Sequence, residues 1–177
     1  YTAESALNDI YMLQTGAKLV KWFNNNTGLI YLPDGNSKLD ENIKNNGSIY
    51  LQHKFPVYKV FNNENEIDIN VLVQYSKTLL ENIDLANSIS VQVSFVNGEF
   101  DIKQSDISNE ITQMIISKGG FVDVKNPFYV ISILCDYNDI YLGLSTAKDN
   151  ISKWALGKTY YSIEFNRAEY KLIESIE

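Results

Sequence analysis

The sequence predicts an α+β fold in two parts, and three observations carry that expectation. Apolar residues recur at helical spacing in some stretches and at alternate positions in others. The two patterns interleave along the chain instead of falling into separate blocks. The charge also changes near residue 60: residues 1–60 carry a net +1, residues 61–146 a net −8 and residues 147–177 none. At 177 residues, 45% hydrophobic and 21% charged, the chain has room for one ordinary domain or two small ones and can bury a core.

The elements follow in order. Ala3, Ala6, Leu7, Ile10, Tyr11 and Leu13 lie at helical spacing, and Gly16 stops that helix. Residues 17–23 and 28–32 read as a strand pair. Ser37 opens a short helix carried by Leu39 and Ile43, and residues 48–51 read as a further strand. The order α-β-β-α-β over residues 1–60 is the ferredoxin-like βαββαβ unit without its first strand, which is expected upstream because residue 1 looks like a cut inside a longer protein.

Residues 64–82 form a long predicted helix with Ile67, Val71, Leu72, Tyr75, Leu79 and Ile83 on its buried stripe. Ile89, Val91, Val93 and Phe95 alternate as a half-buried strand that turns at Asn97-Gly98. Ser105 is the expected cap of a helix on Ile107, Ile111, Met114 and Ile115, stopped by Gly119-Gly120. Residues 121–124 are short and extended, 128–135 run as a continuous apolar central strand, and 139–144 follow as its neighbour. Residues 148–159 are polar and joining. Asn166, with Glu169 three residues on, caps a last helix on Ala168, Leu172, Ile173 and Ile176. The expected divisions are therefore 1–60, 61–147 and 148–177.

Composition excludes several functions. No apolar run approaches the ~20 residues of a membrane helix. The single Cys135 excludes an internal disulfide and a cysteine metal cluster, and the lone His53 excludes a histidine zinc site. Nothing suggests secretion, so the cytoplasm is the expected compartment. A net charge of −7 is the reverse of a generic phosphate coat. Arg167 is the lone arginine, so lysines would have to meet any phosphates. No catalytic triad, Gly-rich phosphate loop or close carboxylate pair stands out.

Particular strings go further. Val122-Asp123-Val124-Lys125-Asn126-Pro127, the strand to Cys135, then Ile140-Tyr141-Leu142-Gly143-Leu144-Ser145 resembles the closing section of a THUMP domain, an RNA-binding module of RNA-modifying enzymes. Without that resemblance, Asn126-Pro127 is an ordinary strand-initiating turn and Gly143 a bulge. Asn166-Arg167-Ala168-Glu169-Tyr170-Lys171-Leu172-Ile173-Glu174 is similar to the opening motif of FtsJ-type ribose 2′-O-methyltransferases, with Asn166 in place of the family's serine. Lys171 falls on the first lysine of that family's catalytic tetrad; read alone, it is a solvated helical lysine. The string from Ile49 to Val57 is similar to the segment joining the ferredoxin-like part to THUMP in such methylases, with Gln52 where the family has arginine. His53 is expected as a packing residue at that junction.

The resemblance implies the substrate-recognition part of an S-adenosylmethionine-dependent RNA methylase, with rRNA the first substrate class and tRNA the second. The cofactor and the remaining tetrad residues are expected beyond Glu177, so this stretch by itself should bind no cofactor and be inactive. RNA would meet a positive face of Lys18, Lys21, Lys54, Lys59, Lys125 and Lys148. The exposed last helix could also support self-association. The rival expectation is a protein-interaction domain, supported by the acidic middle section; a THUMP module of a tRNA-modifying enzyme is the other alternative.

Overall fold

In the computed structural model, residues 3–46, 53–62, 67–146 and 161–165 are described. Helix α1 (Ala3–Leu13) buries Ala6, Leu7 and Ile10, and Gly16 follows it at a φ of +84°, the left-handed region that glycine reaches without strain. Strand β1 (Lys18–Asn24) turns back into antiparallel β2 (Thr27–Tyr31), with the Asn26 N–H donating to Asn24 Oδ1 at 2.8 Å. Trp22 lies over Gly28, its cross-strand partner. A Cβ at 28 would stand 2.7 Å from the indole ring, so any larger residue there would have to displace the indole.

Helix α2 (Asn36–Asn46) leads to β3 (His53–Asn62). Leu39 and Ile43 from α2 join Leu7, Ile10, Ile30 and Leu32 in one apolar cluster. The Asn42 Nδ2 ties α2 to the end of α1 by donating to the Leu13 carbonyl.

The second half begins with α3 (Ile69–Leu80). Asp68 caps it by accepting from the backbone N–H groups of Asn70 and Val71 at 2.9 and 3.4 Å. Strand β4 (Ser88–Phe95), helix α4 (Gln104–Ser117), strand β5 (Phe121–Val122) and strands β6 (Tyr129–Cys135) and β7 (Asp139–Thr146) follow. Gly119 ends α4 at a φ of +82°. Its N–H donates to the Ile116 carbonyl and that of Gly120 to the Ile115 carbonyl, which satisfies carbonyls the helix leaves open. A last strand, β8 (Tyr161–Phe165), closes the described chain.

These elements divide into two units, residues 1–58 with 148–177 and residues 59–147; the boundary falls inside β3. In the first, the strand order is β1-β2-β8-β3, and β8 runs parallel to both β2 and β3. In the second, β4 pairs in parallel with β5 and β6, and β6 pairs antiparallel with β7. Helices α3 and α4 cover the face that carries Ile89, Ile131, Ile133 and Cys135.

Four expectations are corrected. Strand β8, which follows in sequence the stretch 148–159 read as joining, takes the one-strand gap between β2 and β3 where a strand upstream of residue 1 is expected. In a βαββαβ unit a first strand joined through α1 would run parallel to β1, hence against β2, whereas β8 runs with β2. Residues 53–62 are a strand that takes in the second half of the string from Ile49 to Val57 read as a junction, while the strand expected at 48–51 lies outside the described residues. Helix α3 starts at Ile69, not 64, and turns Leu72, Ser76 and Leu80 inward. Val71 and Tyr75 are exposed while the small Ser76 is buried, and Tyr75 packs edge-on against Phe61 at 4.7 Å. Lys103, not Ser105, is the cap position of α4, and its N–H donates to Asp106 at 3.4 Å.

Ile111 is fully buried between α4 and the sheet. Ile111→Ala should cost about 2–5 kcal/mol. Urea unfolding followed by circular dichroism should show a lower midpoint at an unchanged slope.

Candidate nucleic-acid interface

The turn between β5 and β6 is built by one carboxylate. Asp123 Oδ1 accepts from the backbone N–H groups of Lys125 at 2.8 Å and Asn126 at 3.0 Å. This is the local competition of a short acidic side chain with the backbone that makes Asp a turn residue. The turn is then fastened to β4. The Asp123 N–H donates to the Ile89 carbonyl at 3.1 Å, and the Phe128 N–H reaches both the Ser88 carbonyl at 2.8 Å and Ser88 Oγ at 3.0 Å. Ser88 Oγ in turn donates to the Asn126 carbonyl at 3.1 Å. Lys125 is thus an exposed cation on a backbone fixed at both ends.

Exposed apolar residues flank that cation along the chain. Phe121 is 60% exposed, Val124 81% and Phe128 40%. Phe128 meets Tyr129 edge-on at 4.7 Å, and Lys118, exposed at the end of α4, precedes β5 by three residues. Sequence reasoning did not single out Phe121, Phe128, Ser88 or Lys118. The available signal was an aromatic residue on each side of a turn that holds a lysine.

The expected lysines do not all reach a surface. Lys18 is exposed at the start of β1, and Lys21 is half-buried with its Nζ 5.3 Å from the centre of the Phe23 ring. Lys59 is exposed and stands 5.4 Å over the Tyr75 ring on α3. Lys54 corrects the expectation: it is buried, with its Nζ in an ion pair with Asp40 on α2. An ammonium committed to that pair is out of reach of a phosphate. Lys148 and Lys171 lie outside the described residues, as does the helix expected from Asn166; His53 is placed on β3 by its backbone.

Two described groups are strongly shifted by burial. Burial pushes the Cys135 thiol up to about 12. The Tyr141 hydroxyl, which donates to Asp139 at 3.4 Å, is raised well above its ordinary range, first by burial and then by the charges of Asp139 and Asp136. Asp136 is buried and accepts from Asn97 Nδ2 at 2.9 Å. Among the described residues no three His, Cys, Asp or Glu side chains gather to hold a metal ion, and no helix is long and apolar enough to cross a membrane.

No protein-family model matches this chain, and no curated protein matches it. Among solved structures, it is similar to TrmN from Thermus thermophilus at 13% identity, covering 50% of this chain and 27% of that one with a TM-score of 0.37. PH1313 from Pyrococcus horikoshii Ot3 is similar at 18% identity, covering 53% and 31% with a TM-score of 0.40. A 4-thiouridine synthetase in a complex with RNA and ATP is similar at 21% identity, covering 81% and 36% with a TM-score of 0.47. The chain spans about a third of the length of these proteins.

Two measurements check the buried groups. Asp40→Ala removes the carboxylate paired with the buried Lys54 ammonium and should cost about 3 kcal/mol, more than Lys54→Met, which removes the charge and keeps the stem. Chemical denaturation compares the two. Cys135 should resist alkylation at pH 8 in native protein and react fully once unfolded, read by mass spectrometry, because little thiolate exists and the sulfur is covered.

Proposed function

We propose that this chain is an RNA-binding, THUMP-type substrate-recognition module of an RNA-modifying enzyme. The Asp123 turn carries the reading. It occupies the string that resembles the closing section of a THUMP domain, and it holds Lys125 in the open on backbone fixed to β4. A cation on rigid backbone binds a phosphate without first losing loop entropy. Lys118 adds a second charge before the same turn, and Lys59 and Lys18 are further exposed candidates.

The enzyme's reaction is proposed on the string at Asn166–Glu174 alone. It is ribose 2′-O-methylation with S-adenosylmethionine as the methyl donor, rRNA as the first substrate class and tRNA as the second. Lys171 would sit beside the reacting 2′-oxygen, where its charge serves if neighbours lower its pKa or fix its contacts. Isolated, the chain is proposed to bind RNA and not to turn over, in the cytoplasm. Self-association is proposed to run through the last helix.

Titration of a structured RNA at several salt concentrations tests the binding. Lys125→Ala should weaken affinity for all sequences alike and make the log–log salt slope shallower by about 0.7–0.9, one phosphate contact. Unchanged affinity and slope would remove Lys125 from the interface. No RNA binding at low salt would favour the protein-interaction reading that the acidic residues of 61–146 support.

A further inference from the structure

We propose that the end of the sheet formed by Phe121, Ser88 and Phe128 is a stacking platform for unpaired RNA bases, an inference that rests on the RNA-binding reading above. Strand β4 lies between β5 and β6. Ser88 is the register partner of Phe121 on one side. On the other, Ile89 partners Tyr129, so Phe128 stands beside Ser88 and donates its N–H to the Ser88 carbonyl at 2.8 Å. The two phenylalanine backbones are therefore about 10 Å apart, two strand spacings.

The residue between them is small, and its hydroxyl is committed to the turn, to the Phe128 N–H and the Asn126 carbonyl. The Phe128 ring packs edge-on against Tyr129 at 4.7 Å. Both rings are open, at 60% and 40% exposure, and Val124 extends the apolar surface along the turn. The hydrogen bonds of Asp123, Phe128 and Ser88 hold the ring-bearing backbone in place, so the exposed aromatics are fixed in position and not on a loose loop.

Charge selects the occupant. Lys125 stands on the turn joining the two aromatic positions and Lys118 just before the first. The nearby Asp123 carboxylate is turned onto two backbone N–H groups, which offset its charge. Open aromatic faces beside lysines match a strand that carries flat bases on an anionic backbone. A duplex keeps its base faces stacked inside and has nothing to offer the rings.

The test is fluorescence anisotropy with an end-labelled single-stranded RNA of about ten nucleotides and with a duplex containing the same sequence. Wild-type protein should prefer the single strand. Phe121→Ala and Phe128→Ala should each weaken single-strand binding about 5- to 100-fold and leave duplex binding and the thermal midpoint nearly unchanged. Phe121→Tyr and Phe128→Tyr, which keep a ring, should restore it. If the alanine variants keep wild-type single-strand affinity while Lys125→Ala still weakens binding, the stacking platform is wrong and the RNA reading stands. If they weaken single strand and duplex equally, the platform is also wrong. If wild-type protein binds neither RNA at low salt, both readings fall and the exposed rings belong to a protein partner.

Discussion

Strand β6 has no side that faces water, and the second unit is arranged around that constraint. From Val130 to Cys135 every residue is at most 3% exposed. Its backbone N–H and C=O groups must therefore find protein partners along their whole length, because leaving them unpaired away from water costs as much as a lost hydrogen bond. β4 supplies seven register partners on one side and β7 seven on the other. The parallel pairing with β4 obliges the chain to cross back over the sheet, which α4 and β5 accomplish. The antiparallel pairing with β7 permits a tight return, closed by the Asp136 N–H donating to the Asp139 carbonyl at 2.8 Å. Helices α3 and α4 are then needed to cover the isoleucine face of the same strands.

The same constraint fixes the proposed interface. Once β6 is in register with β4, Phe128 must enter beside Ser88, and the turn from β5 has to land there. Ser88 meets it with a hydroxyl that both donates and accepts, and Asp123 closes the turn from within. Lys125 and the two phenylalanines thus gain fixed positions from hydrogen bonds whose purpose is to start a strand. A scaffold that is rigid because it is buried can carry exposed groups at its rim.

Charge behaves differently in the two units. In the second, Lys59, Lys103, Lys118 and Lys125 are exposed and Lys77 is half-buried. In the first, Lys54 is drawn inside and held by Asp40. A lysine on a strand reads the same in either case, and its accessibility depends on whether a carboxylate from another element is brought beneath it. Lysines counted along a chain therefore overstate the cations that a phosphate can meet.

The sequence by itself determined which stretches are helix and which are strand in most of residues 3–46 and 67–146, because those patterns are local. Ile89, Val91, Val93 and Phe95 alternate onto one face, the apolar run to Cys135 reads as a strand covered on both sides, and Gly119-Gly120 ends a helix. It also exposed the turn string around Asp123, whose chemistry acts over three residues. It misjudged the stripe of α3, where a buried Ser76 outranks an outward Tyr75, and it passed over β3 and β8. Those strands exist through partners far away in the chain: Tyr161 pairs with Thr27 and His53. Only the tertiary structure decided that Lys54 is buried while Lys125 is open, and that Phe121 and Phe128 flank one serine. Those outcomes depend on strand order and register, which hydrogen bonding between distant segments sets and no local pattern of residues encodes.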